Sequence, residues 1–169
     1  MMILVTGGSK CGKSRFAESL FLNRTGPKMY LATMQPFGHE AHAAIERHRK
    51  MRADKGFQTI EQYTDINRAD IPDGSAVLLE CLGNLLANEM FQDGKIISCA
   101  DKIISDILQL NLKTDLLVIV TNQIGSDGIH YEAGTAAYIG ALGKINQRIA
   151  SAAGKVIECV YGIPVTVKG

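Results

Sequence analysis

Tryptophan is absent, and five tyrosines and five phenylalanines leave few rings on which a nucleic acid could stack. Eighteen basic against seventeen acidic residues give a net charge of +1, so no global field draws in nucleic acid or an anionic membrane. Any anionic ligand must be held locally. The four cysteines, Cys11, Cys81, Cys99 and Cys159, stand far apart with no C-x-x-C pair, which argues against a zinc site or a disulfide framework and for a reducing, cytoplasmic setting. Aliphatic runs are short. Leu116 to Val120 is one of the longest, far below the roughly 20 residues of a membrane span, and no basic segment precedes an apolar one at the start, so no secretory leader is expected. Repeats, low-complexity tracts and charge blocks are also missing.

What is present is an ordinary globular composition, 46% hydrophobic over 169 residues, long enough to close around one core. A single domain spanning 1–169 is expected. Strand and helix patterns alternate along it. Met2 to Thr6, Ala76 to Glu80 and Asp115 to Thr121 are continuous apolar runs of the kind buried on both faces of a parallel sheet. Met29 to Ala32, Phe57 to Glu61, Val156 to Val160 and Val165 to Lys168 read as further strands. Helical spacing covers Lys13 to Leu22, Glu40 to Lys55, Gly83 to Gln92, Ala100 to Leu112 and Tyr131 to Ala153. The pattern predicts an α/β fold, a mainly parallel sheet flanked by helices.

Gly7-Gly8-Ser9-Lys10-Cys11-Gly12-Lys13-Ser14 fits G-x-x-x-x-G-K-[ST] at every fixed position and lies between a predicted strand and a predicted helix. Glycines let such a loop curl its N–H groups around one point, which suits a phosphate. Lys13 is placed to reach the β- and γ-phosphates, and the Ser14 hydroxyl to hold Mg²⁺. The loop makes the expected fold a P-loop NTPase type, RecA-like. Glu80 ends a strongly apolar run, so it is the acid expected to position the Mg²⁺ shell; Asp115 precedes its strand and belongs to the opposite edge.

Glu46-Arg47-His48-Arg49-Lys50-Met51-Arg52 is the most cationic stretch, and His48 shares a helix face with Ala41, Ala44 and Ile45. Two readings stay open on the residues alone: a nucleophile toward a nucleotide phosphate braced by arginines, or a partly buried histidine on a basic solvated helix. His39 and His42 lack the acid or cysteine that would complete a metal site with it.

With these residues in hand, the chain resembles the bifunctional adenosylcobinamide kinase / adenosylcobinamide-phosphate guanylyltransferase family of cobalamin biosynthesis. The likeness runs nearly end to end. It includes Ile3-Leu-Val-Thr-Gly-Gly with Gly12-Lys-Ser-Arg-Phe-Ala-Glu18, Tyr30-Leu-Ala-Thr33, His48-Arg49 and Leu78-Leu-Glu-Cys-Leu82 with Asn88. Val120-Thr-Asn122 with Gly125, Asn146-Gln-Arg-Ile-Ala150 and Gly162-Ile-Pro-Val165 complete it. The resemblance implies phosphorylation of adenosylcobinamide by ATP or GTP, then transfer of GMP from GTP to adenosylcobinamide phosphate through a GMP-histidine. His48 is the implied nucleophile beside Lys13. The implied nucleotide contacts are Gly7 through Ser14, Thr33, Arg49, Arg52, Glu61 and Glu80. A homotrimer with the site between subunits is also implied. Some positions depart from the pattern. Arg52-Ala53 and Gly56-Phe57 replace a usual Arg-Pro and Trp, Gln123 replaces an acid, and Ile139-Gly140 replaces an Arg-acid pair. The competing expectations are a small-metabolite P-loop kinase without guanylyl transfer and a non-catalytic nucleotide-dependent regulator.

Overall fold

The structure is a computed structural model that describes residues 1–36, 46, 55–125 and 127–169. Strands β1 (Met2–Thr6), β2 (Lys28–Ala32), β3 (Phe57–Glu61), β4 (Ala76–Glu80), β7 (Leu116–Val120), β8 (Lys155–Val160) and β9 (Ile163–Lys168) build one sheet in the order β3-β2-β4-β7-β1-β8-β9. Neighbours pair in parallel from β3 to β8, and β9 returns antiparallel to β8. Helices α1 (Lys13–Ser19), α2 (Leu82–Met90), α3 (Ala100–Lys113) and α4 (Ala133–Ala152) fill the connections.

The apolar runs are continuous because the central strands are covered on both sides. Alternate residues divide between two cores, as the two-residue period of a strand requires. Met2, Leu4, Leu31, Val77, Leu79, Leu117 and Ile119 pack against α2, α3 and α4. Ile3, Val5, Tyr30, Leu78, Val118 and Val120 pack against Ala17 and Phe21 on the other face. Each helix inserts an apolar stripe at three- and four-residue spacing, such as Ile103, Ile104, Ile107 and Leu110 on α3. Asp101 in its first turn and Lys113 in its last complement the helix dipole.

Two helices end before the periodicity predicts. After Ser19 the amide of Leu22 bonds the Ser19 carbonyl three residues back, and Arg24 bonds Phe21 in the same way, so α1 runs out into tight turns. Helix α2 stops at Met90, because Phe91–Gln92 (β5) pairs antiparallel with Lys95–Ile96 (β6) around Asp93-Gly94. Both turn residues have positive φ, 51° and 73°, the two-residue hairpin geometry that Asp-Gly favours. A short 3-10 turn, Ile66–Arg68, follows β3 with no helical period in the sequence to mark it. The expected helix from Glu40 to Lys55 lies outside the described residues apart from Glu46, which is helical, and Lys55, which is in a turn. Lys55 pairs with the buried carboxylate of Glu18 on α1.

Candidate functional site at the carboxyl edge of the sheet

Parallel pairing brings the carboxyl ends of six strands to one edge. Register places Ala32 beside both Glu61 and Glu80, Val5 beside Val120, and Thr6 beside Glu158. The loop after β1 therefore sits within this row, with Glu80, Thr33 and Glu61 on one side and Glu158 on the other. Asp115 lies at the opposite edge, where its carbonyl accepts from the Met1 amino terminus at 2.9 Å. This is the placement its position before a strand predicts.

Sterics specify the loop. Gly7 has φ +148°, and a Cβ there would come within 2.7 Å of Cys11 Sγ and of the Cys159 carbonyl oxygen. Gly12 has φ +93°, and its Cβ would stand 3.3 Å from Gly162 Cα, in the turn between β8 and β9. The Gly162 amide donates to the Cys11 carbonyl at 2.9 Å, so the hairpin turn is fastened to the loop. Lys13 is 8% exposed, and its Nζ donates to the Gly8 carbonyl at 2.9 Å. A buried ammonium folded over a glycine-rich curl is a cation already desolvated for an anion. A bound phosphate would replace a neutral carbonyl as its partner.

Ser14 and Glu80, 66 residues apart in sequence, meet at this edge: the Ser14 hydroxyl donates to Glu80 Oε1. Tyr30 holds the other carboxylate oxygen, its hydroxyl donating to Oε2 at 2.9 Å. A hydroxyl beside an oriented carboxylate is an all-oxygen donor pair, the chemistry Mg²⁺ selects. Among the described residues no group of three His, Cys, Asp or Glu side chains could hold a metal by itself, so phosphate and water would complete the shell of a cation here. The fit is to Mg²⁺ with a nucleotide rather than to a protein-only metal cage.

Thr33 is fully buried; its amide donates to the Glu80 carbonyl at 3.2 Å and its hydroxyl to the Cys81 carbonyl at 2.8 Å. Asn88 on α2 ties the same edge together, its Nδ2 donating to the Thr33 carbonyl at 2.8 Å and the Tyr63 carbonyl at 2.9 Å. Glu61 stands further out and accepts from the Tyr63 hydroxyl at 2.9 Å. The Cys81 thiol, beside Glu80, is pushed up from its ordinary pKa by burial and stays protonated. His48, Arg49 and Arg52 lie outside the described residues.

Clefts open along the edge among the described residues. One, of about 560 Å³, is lined by Gln35, Thr64, Asn88 and the β5–β6 hairpin. Another, of about 680 Å³, lies between the loop and the β8–β9 turn, with Gln123, Glu158 and Tyr161 in its wall. Two departures from the family pattern have structural partners here. Gln123 Nε2 donates to Glu158 Oε1 at 3.0 Å. Ile139 packs under Gly125, where a Cβ would come within 2.6 Å of its Cγ2.

Sequence reasoning brought together the loop, Ser14 and Glu80. It missed Tyr30 as the second support of Glu80. The signal was a phenol on an otherwise apolar strand, since a buried tyrosine hydroxyl needs a partner.

Fold comparison matches ATPase structures at low sequence identity. An ATPase domain is matched with a TM-score of 0.51 and 10% identity over 93% of this chain and 68% of that chain. A type III secretion system ATPase from pathogenic bacteria is matched with a TM-score of 0.53 and 12% identity over 98% of this chain and 56% of that chain. Both show a P-loop α/β fold and nothing finer. Sequence comparison is more specific. The bifunctional adenosylcobalamin biosynthesis protein CobU of Escherichia coli is 34% identical over 99% of this chain and 100% of its own length. The protein of the same name in Salmonella typhimurium is 33% identical over the same shares. Bifunctional adenosylcobalamin biosynthesis protein CobP of Pseudomonas aeruginosa is 25% identical over 100% of this chain and 98% of its own. Residues 3–167 match the family described as cobinamide kinase / cobinamide phosphate guanyltransferase, and the chain belongs to that family.

Proposed function

We propose that this chain, as one domain, phosphorylates adenosylcobinamide with ATP or GTP and then guanylylates the product in cobalamin biosynthesis. One observation carries the reading: a phosphate loop whose Lys13 is buried and whose Ser14 meets Glu80, within a chain that matches the bifunctional family over residues 3–167.

In the kinase step the aminopropanol hydroxyl oxygen attacks the γ-phosphorus and gives up its proton to solvent, the bond to the β–γ bridging oxygen breaks, and the nucleoside diphosphate leaves. The loop backbone and Lys13 hold the phosphates in line, which is most of what phosphoryl transfer asks of a protein. Mg²⁺, when bound, neutralises charge on the phosphates; Ser14 and Glu80 would hold it directly or through water. Tyr30 keeps Glu80 turned toward Ser14.

In the second step a ring nitrogen of His48 attacks the α-phosphorus of GTP and pyrophosphate leaves. A phosphate oxygen of adenosylcobinamide phosphate then attacks the same phosphorus and releases the histidine, giving adenosylcobinamide-GDP. Thr33, whose amide and hydroxyl are bonded to the Glu80 and Cys81 carbonyls, positions this edge rather than touching the nucleotide, while Arg49 and Arg52 brace the phosphates and Glu61 completes the nucleotide contacts. The resemblance supports these roles, together with a homotrimer whose site lies between subunits and a cytoplasmic location that keeps the thiols reduced. The test of the kinase half is product analysis with ATP and the unphosphorylated corrinoid. A phosphorylated corrinoid formed by wild type and lost in Lys13→Ala is the expected result, and its formation by the variant at the wild-type rate contradicts the reading.

A further inference from the structure

The phosphate loop lies between two differently built sides. Toward β4 are Ser14 and Glu80, the groups that face the reacting end of a triphosphate. The nucleoside end must leave in the other direction, toward β8 and β9, and the cleft of about 680 Å³ lies there. This is a suitable size for a small ligand, and the cleft is continuous with the loop, sharing Gly8 through Gly12 as its wall.

Tyr161 is the unusual residue of that wall. It is 95% exposed and has φ +51°, a left-handed conformation that a bulky side chain adopts only at a cost in strain. No burial compensates for the strain. The neighbouring Gly162 holds the turn to the loop through its amide bond to the Cys11 carbonyl, so the backbone that carries the ring is fastened beside the loop. Val160 adds exposed apolar surface, while Glu158 and Gln123, bonded to each other, add polar groups to the wall.

We infer that this cleft takes the purine base of the nucleoside triphosphate whose phosphates lie on the loop, with Tyr161 as the stacking platform. The inference rests on the phosphate-loop reading of Gly7 through Ser14. It separates this base position from the Thr33 and Glu61 side of the edge, giving the chain two nucleoside positions flanking one loop. Stacking on one ring is tolerant of base identity, so adenine and guanine are both admitted.

The test is calorimetric titration of the full chain with Mg²⁺ and the non-hydrolysable imido analogues of ATP and GTP, and separately with inorganic triphosphate. Tyr161→Asn removes the ring while suiting the left-handed backbone, and Tyr161→Phe keeps the ring. We expect Tyr161→Asn to bind both analogues about tenfold more weakly, with triphosphate binding unchanged and Tyr161→Phe near wild type. Unchanged analogue binding by Tyr161→Asn overturns the proposal and leaves the phosphate-loop reading standing. Loss of triphosphate along with the analogues in Tyr161→Asn also overturns it, because the ring would then be supporting the loop. Wild-type protein that binds neither triphosphate nor analogue overturns both.

Discussion

Gly7 and Lys13 show how much of the site is decided one residue at a time. Gly7 is required twice over, by its φ of +148° and by the two contacts at 2.7 Å that any Cβ would make. Gly7→Ala is therefore expected to cost about 1–3 kcal/mol, as overpacking does, read as a lower urea midpoint with an unchanged slope. Among the described residues the Lys13 ammonium bonds the Gly8 carbonyl. Lys13→Ala should leave the fold intact by circular dichroism and lower kinase kcat by about 10²-fold or more, the scale of losing a preorganised charge-stabilising donor. A variant within threefold of wild type would show that the lysine does not face the phosphates. Legibility at this scale followed chemistry. The loop was readable because its glycines, lysine and serine have fixed spacing, and Glu80 because an acid ended an apolar run. Tyr30 and Asn88 were not, since their roles come from partners 50 and 55 residues away in sequence.

Elements hold the edge through a polar cluster in which only the i,i+4 pair Lys102–Asp106 is local in sequence. Lys102 on α3 bonds Glu89 on α2 at 2.8 Å, Asp106 at 3.1 Å and Asp65 at 2.8 Å. Glu89 also accepts from the Asp65 amide at 2.9 Å, tying the 3-10 turn to both helices. The three carboxylates push the Lys102 ammonium well above its ordinary pKa against the cost of its burial. The hydrogen bond from Lys102 holds Asp65 below its ordinary 3.8. A depressed carboxyl pKa contributes stability above the unfolded value and loses it as pH falls through the folded one. The protein should accordingly lose stability on acidification below about pH 4. Lys102→Met strands two nearly buried carboxylates, with Glu89 and Asp106 side chains 4% and 6% exposed. It should cost about 2–4 kcal/mol at pH 7, with a shallower acid limb in a urea–pH series. An acid limb as steep as wild type would mean that Asp65 is not coupled to Lys102. Strands were more legible than helix ends here. Burial on both faces writes a continuous apolar run, whereas α2 stops two residues short of the predicted Gln92 because Phe91–Gln92 pairs with Lys95–Ile96 across Asp93-Gly94.

At the scale of the molecule, strand order could not be read from the alternation of elements. Only the parallel pairing puts Glu80, Thr33 and Glu61 on one side of the loop and Glu158 on the other. Strand β9 leaves Ile163, Val165 and Val167 exposed along an edge, apolar surface consistent with self-association. Sedimentation equilibrium should give three times the monomer mass, and a monomer at micromolar concentration would contradict the trimer. Among the described residues no helix is long and apolar enough to cross a membrane. One chain is proposed to carry out both transfers, with His48 as the carrier of GMP. The most direct test is incubation with Mg²⁺ and GTP labelled at the α-phosphate, followed by denaturation and mild acid, on wild type and His48→Ala. Acid-labile label is expected on wild type and none on the variant. Equal labelling of the two, or no label on a wild-type protein that binds GTP, would contradict the proposal.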